Sequence, residues 1–225
     1  MSIKENILKI KSTLPEGVKL VAVSKFHSIE TMKEAYNAGQ RIFGESRVQE
    51  LTVKQPALPE DVEWHFIGIL QTNKVKYIVP FVTMIQSVDS LRLMQEIDRQ
   101  AKNCDRTICV LIEVHIAGED SKHGFSVEEC KSLFSDNILN QFAHIQVCGL
   151  MGMATFTDNT EQIRHEFGTL RTLFDEIRSM PNVDRSVFCD LSMGMSDDYR
   201  IAMEEGSTMV RIGTSIFGVR RYNFC

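Results

Sequence analysis

The sequence predicts an α/β fold, a single (β/α)8 barrel of the TIM type preceded by an extra N-terminal helix, and two observations carry that expectation. Short apolar runs recur along the whole chain with amphipathic helical patterns between them, as in a parallel sheet covered by helices. Eight such runs can be counted. Eight strands suffice to close a sheet on itself, and 225 residues fall within the size of one such barrel.

Taken in order, Ser2 and Glu5 form a capping box, and Ile3, Ile7, Ile10 and Leu14 follow at helical spacing until Pro15 and Gly17 end the helix. The strand candidates are Leu20 to Val23, Arg41 to Gly44, Trp64 to Gly68, Thr83 to Gln86, Ile108 to Val114, Ile145 to Met151, Val187 to Leu191 and Met209 to Gly213. Among the intervening helices the clearest stripe is Ile163, Phe167, Leu170, Phe174 and Ile177. Ser28, Asp89 and Ser126 are the N-caps expected for others. No linker, low-complexity tract or repeat interrupts the pattern, so residues 1–225 read as one domain.

The formal net charge is −5 and no block of Lys and Arg occurs, which excludes a general nucleic-acid surface. Charges break the apolar clusters of the N-terminus, and no apolar run is long enough to span a bilayer. A cytoplasmic protein is expected. Cys104, Cys109, Cys130, Cys148, Cys189 and Cys225 form no Cys-x-x-Cys pair, and three lie in apolar strand-like runs, so buried reduced thiols are expected. The six histidines show no two-ligand helical spacing, and no metal site is expected.

In a βα barrel the functional groups gather at the C-terminal ends of the strands, where the loops converge on one mouth. That rule selects Lys25, Gly44-Glu45-Ser46, Ser192 to Ser196, and Arg211 to Ser215. An ammonium ending a buried strand is partly desolvated, which lowers its pKa and exposes a nucleophilic amine. The bland alternative is that Lys25 snorkels to solvent or pairs with Glu45. Ser192 and Thr214 offer hydroxyls, and Gly213 lets backbone N–H groups approach an anion. Against that, Ser196-Asp197-Asp198 reads as an N-cap with Ser196 as its cap, and Gly213 and Gly218 as turn residues. Met193 and Met195 are placed at the mouth, whereas the tyrosines read as structural. A lysine beside a phosphate cradle suits a phosphorylated carbonyl compound, either a sugar phosphate or pyridoxal phosphate (PLP).

Five segments narrow the choice: Val21-Ala22-Val23-Ser24-Lys25; Phe43-Gly44-Glu45-Ser46-Arg47-Val48-Gln49-Glu50; Trp64 to Gly68 with Leu70 to Lys74; Leu191 to Asp198; and Gly206 to Thr214 with Ile216-Phe217-Gly218. In this order they closely resemble the pyridoxal phosphate homeostasis protein family, over nearly the whole chain. The resemblance implies that Lys25 holds PLP as a Schiff base, that Ser192, Gly213 and Thr214 hold its phosphate, and that Arg211 faces the pyridine nitrogen. The family usually has Asn where this chain has Ser46, so a water is expected to replace any direct contact from Ser46.

The resemblance also implies a barrel related to that of alanine racemase but without its second domain, and a carrier of PLP more than a catalyst. A guanidinium does not readily protonate the ring nitrogen, which weakens the electron sink. Racemisation needs acid–base groups on both faces of the α-carbon, and Lys25 supplies one. The competing readings are a PLP-dependent racemase or lyase, and a Schiff-base aldolase of sugar phosphates. PLP-dependent apoenzymes are the expected recipients, and the chain is expected to be a monomer.

Overall fold

The computed structural model describes residues 2–118 and 123–218. Tyr222 and Cys225 lie outside the described residues. Eight strands close into a barrel in sequence order, every neighbouring pair parallel: β1 Lys19–Val23, β2 Ile42–Glu45, β3 Glu63–Phe66, β4 Met84–Val88, β5 Ile108–Glu113, β6 Ile145–Met151, β7 Asp190–Ser192 and β8 Met209–Ile212. The helices α1 Ile3–Lys11, α2 Ile29–Asn37, α3 Val48–Lys54, α4 Val75–Ile78, α5 Leu91–Asn103, α6 Val127–Ser135, α7 Thr160–Arg178, α8 Tyr199–Glu204 and α9 Thr214–Phe217 stand outside them. No helix among the described residues is long and apolar enough to cross a membrane.

The caps of α1, α2 and α6 fall on Ser2, Ser28 and Ser126, as expected. Asp89 is not a cap. Ser90 takes that place in α5, accepting from the Leu93 N–H, while Asp89 accepts from the Ser90 hydroxyl. The seventh strand also moves, because Phe188 bonds back to Asp184 in a turn and packs outward between Phe134 and Phe174. The run Val187 to Leu191 therefore splits between a turn and β7. Cys130 and Cys148 are buried, but Cys104 and Cys189 are exposed and Cys109 is half-buried, so only part of the thiol set is internal.

Alternation along each strand sorts the side chains into two cores. Leu20, Ala22, Phe43, Val110, Ile112, Val210 and Ile212 point outward into the layer shared with the helices. Val21, Met84, Leu111, Cys148, Met151 and Met209 fill the barrel interior. The stripe Ile163, Phe167, Leu170, Phe174 and Ile177 on α7 is buried throughout, each side chain contributing about 1.5–3 kcal/mol relative to exposure. Glu166, on the same helix, accepts from the backbone N–H groups of Gly118 and Thr155 and so pins the loops after β5 and β6. Burial raises its pKa, but the hydrogen bonds from Thr155, Gln162 and Gly118 outweigh that and hold it below the usual carboxylate value.

Candidate functional site at the barrel mouth

The period-two alternation that turns Val21 inward carries through Val23 to Lys25, so the strand itself aims this side chain into the mouth. There Lys25 lines a cavity of about 270 Å3 together with Arg211, Gly213, Thr214, Ser196 and Asp197. Its apolar walls are Val23, Ile67, Met153, Phe156 and Met195, and His27 completes one side against Phe217. A cleft of similar size at the opposite end, under β6 and β7, is lined by Leu139, Phe142, Val187 and Phe188 and has no cation in its lining. The mouth is the place where an amine, a guanidinium and hydroxyls meet.

Glu45 does not pair with Lys25. It has the opposite parity, faces the helix layer, and is fully buried there. Its Oε1 accepts from the Ser24 hydroxyl at 2.6 Å and from Lys54 Nζ at 2.9 Å. Burial pushes the Glu45 carboxyl upward, and the Lys54 ammonium opposes that. Lys54 also donates to the Ser24 carbonyl at 2.9 Å and to Glu50 Oε2 at 3.0 Å, and the same Glu50 oxygen accepts the Phe26 N–H at 2.8 Å. Burial raises the Glu50 pKa, but its hydrogen bonds to Phe26 and Lys54 bring it below the ordinary value.

Phe26 has φ +67, in the left-handed region that costs a non-glycine residue about 1–2 kcal/mol. A hydrogen bond from its N–H to a charged carboxylate, worth about 1.5–3 kcal/mol, offsets that. Arg47 stacks over its ring at 4.4 Å.

Arg211 is buried, and its guanidinium is spoken for on two sides. Nη1 donates to Ser192 Oγ at 2.7 Å and Nη2 to the Gly152 carbonyl at 3.0 Å. Ser192 in turn donates to Gln86 Oε1 at 2.7 Å, and Gln86 Nε2 lies 2.8 Å from His65 Nδ1. This chain of polar groups runs down the barrel interior. Burial lowers Arg211 to about 10, opposed by Asp198 and Glu113, so it is a cation at neutral pH. Burial lowers His65 to about 3, so it is neutral there.

Of the residues selected from sequence, the fold brings Lys25, Arg211, Gly213 and Thr214 together. Ser192 is fully buried one hydrogen bond behind Arg211 and does not line the cavity. Met193 packs in the outer core, whereas Met195 reaches the mouth, as Met153 does. Ser46 sits beside Gly68, where an added Cβ would come within 2.5 Å of it; its Oγ is buried and has no protein partner among the described residues. Ser196 is not the cap of α8. Asp198 holds that position and accepts from the Met195 N–H, leaving Ser196 on the cavity wall, 3.5 Å from the Ser215 N–H. Gly213 sits where the backbones run close, since a Cβ there would lie 3.1 Å from the Val23 carbonyl oxygen. Gly194, at φ +94, similarly lets the turn pass Ala202 and Tyr199.

Sequence reasoning selected Ser196 among the strand-end residues but read it as a cap, and it missed His27, Ile67 and Phe156 as cavity residues and Lys54 as well. A signal existed for Ser196, which follows β7 in the loop where barrels bind anions. None existed for Lys54, whose i,i+4 spacing from Glu50 reads as an ordinary surface pair.

A closed βα barrel with an amine and a buried guanidinium in one mouth defines the class. The sequence matches the alanine racemase N-terminal domain family over residues 1–221. It is 44% identical to the pyridoxal phosphate homeostasis protein of Aquifex aeolicus, across 91% of this chain and 88% of that one. It is 36% identical to the protein of that name from Pasteurella multocida, across 99% and 100%. The structure of PipY from Synechococcus elongatus with PLP bound superposes with a TM-score of 0.84 at 34% identity, covering 96% of this chain and all of that one. Alanine racemase from Clostridium difficile shares the fold, with a TM-score of 0.79 at 17% identity, and this chain spans 57% of it. The chain belongs to the alanine racemase N-terminal domain family and, within it, to the pyridoxal phosphate homeostasis proteins.

Proposed function

We propose that this chain binds pyridoxal 5′-phosphate through Lys25 and serves cellular PLP homeostasis, storing, buffering or delivering the cofactor without strong catalysis of its own. The observation that carries this reading is one cavity holding Lys25, the buried Arg211, and the hydroxyls of Ser196 and Thr214 between apolar walls. That donor set suits the group: an amine for the aldehyde, a cation for the ring nitrogen, hydroxyls and the first N–H groups of α9 for the phosphate, and flat apolar surface for the ring. Asp197 on the same wall has the wrong sign for a phosphate, but it is exposed and screened.

When bound, PLP supplies an aldehyde that condenses with an amine with loss of water. The protein's own residues then have distinct tasks. Lys25 presents the amine at the end of β1. Ser196, Gly213 and Thr214 anchor the anion. Ser192 fixes the Arg211 guanidinium, whose buried cation donates toward the ring nitrogen and is a poor source of a proton for it. Ser46 and Met193 stand outside the cavity lining and take no direct part in holding the group. Residues 1–225 act as one domain in this reading, a monomer working in the cytoplasm with PLP-dependent apoenzymes as recipients.

Incubation with PLP and then borohydride should leave a phosphopyridoxyl mass on Lys25 of a yellow protein. Colourless, unlabelled protein in excess PLP would remove the proposal. The relatives with a racemase fold motivate a second reading as a racemase or lyase, and in that case His27 or Asp197 would have to supply the second acid–base group beside Lys25. Rapid α-proton exchange of an amino acid in deuterated water, lost in Lys25→Ala and in His27→Gln, would favour the enzyme.

A further inference from the structure

We propose that Lys54 is a positioning residue for Lys25: its buried ammonium clamps the backbone on both sides of that lysine and so fixes where the amine stands in the mouth. The inference rests on the reading above, in which Lys25 captures the cofactor. It is carried by a set of contacts converging from β2 and α3 on the end of β1.

On the N-terminal side, Lys54 Nζ donates to the Ser24 carbonyl at 2.9 Å. On the C-terminal side, Glu50 Oε2 holds Lys54 at 3.0 Å and accepts the Phe26 N–H at 2.8 Å. Glu45 Oε1 completes the arrangement, accepting from Lys54 at 2.9 Å and from the Ser24 hydroxyl at 2.6 Å. Lys25 is therefore the residue between two peptides tied to one cation. The side chains of Lys54 and Glu45 are 7% and 0% exposed, so this is an ion pair shielded from salt, unlike the pairs on the outer helices. Arg47 is the other charge near it, 3.9 Å from Glu50 and exposed.

The geometry explains a local oddity. Phe26 is held in the left-handed region immediately after Lys25, and the chain reverses there with the His27 N–H bonded to the Ser24 carbonyl at 3.1 Å. Without the Glu50 and Lys54 contacts this turn would relax toward ordinary backbone, and the direction of the preceding side chain would relax with it. The clamp acts on the backbone that flanks Lys25, and none of Glu45, Glu50 and Lys54 lines the cavity. Its effect should appear in capture by Lys25 and not in anchoring of the phosphate, since Ser196, Gly213 and Thr214 follow β7 and β8 and not β1.

Two variants test this. Lys54→Met combined with Glu45→Gln removes the cation without stranding a buried carboxylate, and Glu50→Gln weakens the acceptor of the Phe26 N–H. The probes are PLP and pyridoxine 5′-phosphate, which has an alcohol in place of the aldehyde. In both variants the rate of borohydride-trapped labelling of Lys25 should fall by about tenfold to a hundredfold, the scale expected for ångström-level misplacement. Affinity for the alcohol analogue should hold. Unchanged labelling, or labelling and analogue affinity falling together with the thermal midpoint, would overturn the role. If the unmodified protein bound neither probe, the functional reading would fail, and the clamp would still be tested by reductive methylation with formaldehyde. The rate at Lys25 relative to exposed Lys33 should then change in the variants, and an unaltered ratio would refute it.

Discussion

His65 stands fully buried in the barrel interior, neutral, with Nδ1 facing the Gln86 amide. Gln86 Nε2 is a donor, so Nδ1 acts as the acceptor. The unfolded chain binds a proton at about 6.5 and the folded chain only at about 3, so the unfolded state gains protons first as the pH falls. Stability contributed by neutral His65 is present above pH 6.5 and is lost between 6.5 and 3, amounting to about 2 kcal/mol by pH 5. Denaturant titrations should show that slope, and His65→Gln should lack it. A variant keeping the full acid dependence would mean the imidazole is reached by solvent. The burial of Glu45 and Glu113 raises their pKa values and pulls stability in the opposite sense, which is why the comparison must be with the variant and not with pH alone.

At the scale of elements, the thinnest seam of the barrel is between β7 and β8, which pair at the single register Ser192 with Met209. Side chains take over where the ladder is short. Thr208 Oγ1 accepts the Leu191 N–H at 2.7 Å, and Ser207 Oγ lies 3.3, 2.9 and 3.0 Å from the carbonyls of Leu191, Met193 and Met209. One hydroxyl proton is shared among these acceptors. Ser207→Ala should therefore destabilise the fold by about 1–3 kcal/mol, since the Leu191 and Met209 carbonyls keep backbone N–H donors but the Met193 carbonyl loses the Ser207 hydroxyl. It should also loosen Arg211, whose Ser192 partner sits on this seam. Loss of stability with wild-type PLP labelling would show that the seam and the mouth are independent.

For the whole molecule, a ligand that binds only the closed barrel must stabilise it. PLP at a hundred times its dissociation constant should add about 2.7 kcal/mol. For a chain of this size that raises the thermal midpoint by about 5–10 °C. Lys25→Ala should lose most of that rise, and an equal rise in the variant would place the binding energy elsewhere than the amine. Light scattering should report 25.6 kDa with and without PLP, and a stable doubled mass would refute the monomer.

The order of strands, the place of Lys25 at the end of the first and the loops after the seventh and eighth were legible in the sequence, because they depend on chain order and on where each apolar run stops. These are local properties. The tertiary structure decided who answers whom: Glu45 turns to Lys54 and not to Lys25, Ser192 retreats behind Arg211, and Ser196 comes to the wall. Those outcomes depend on the register between neighbouring strands and on which side of each strand the helices cover. A partner such as Gln86 for Ser192, 106 residues away in the chain, is fixed only when the barrel closes.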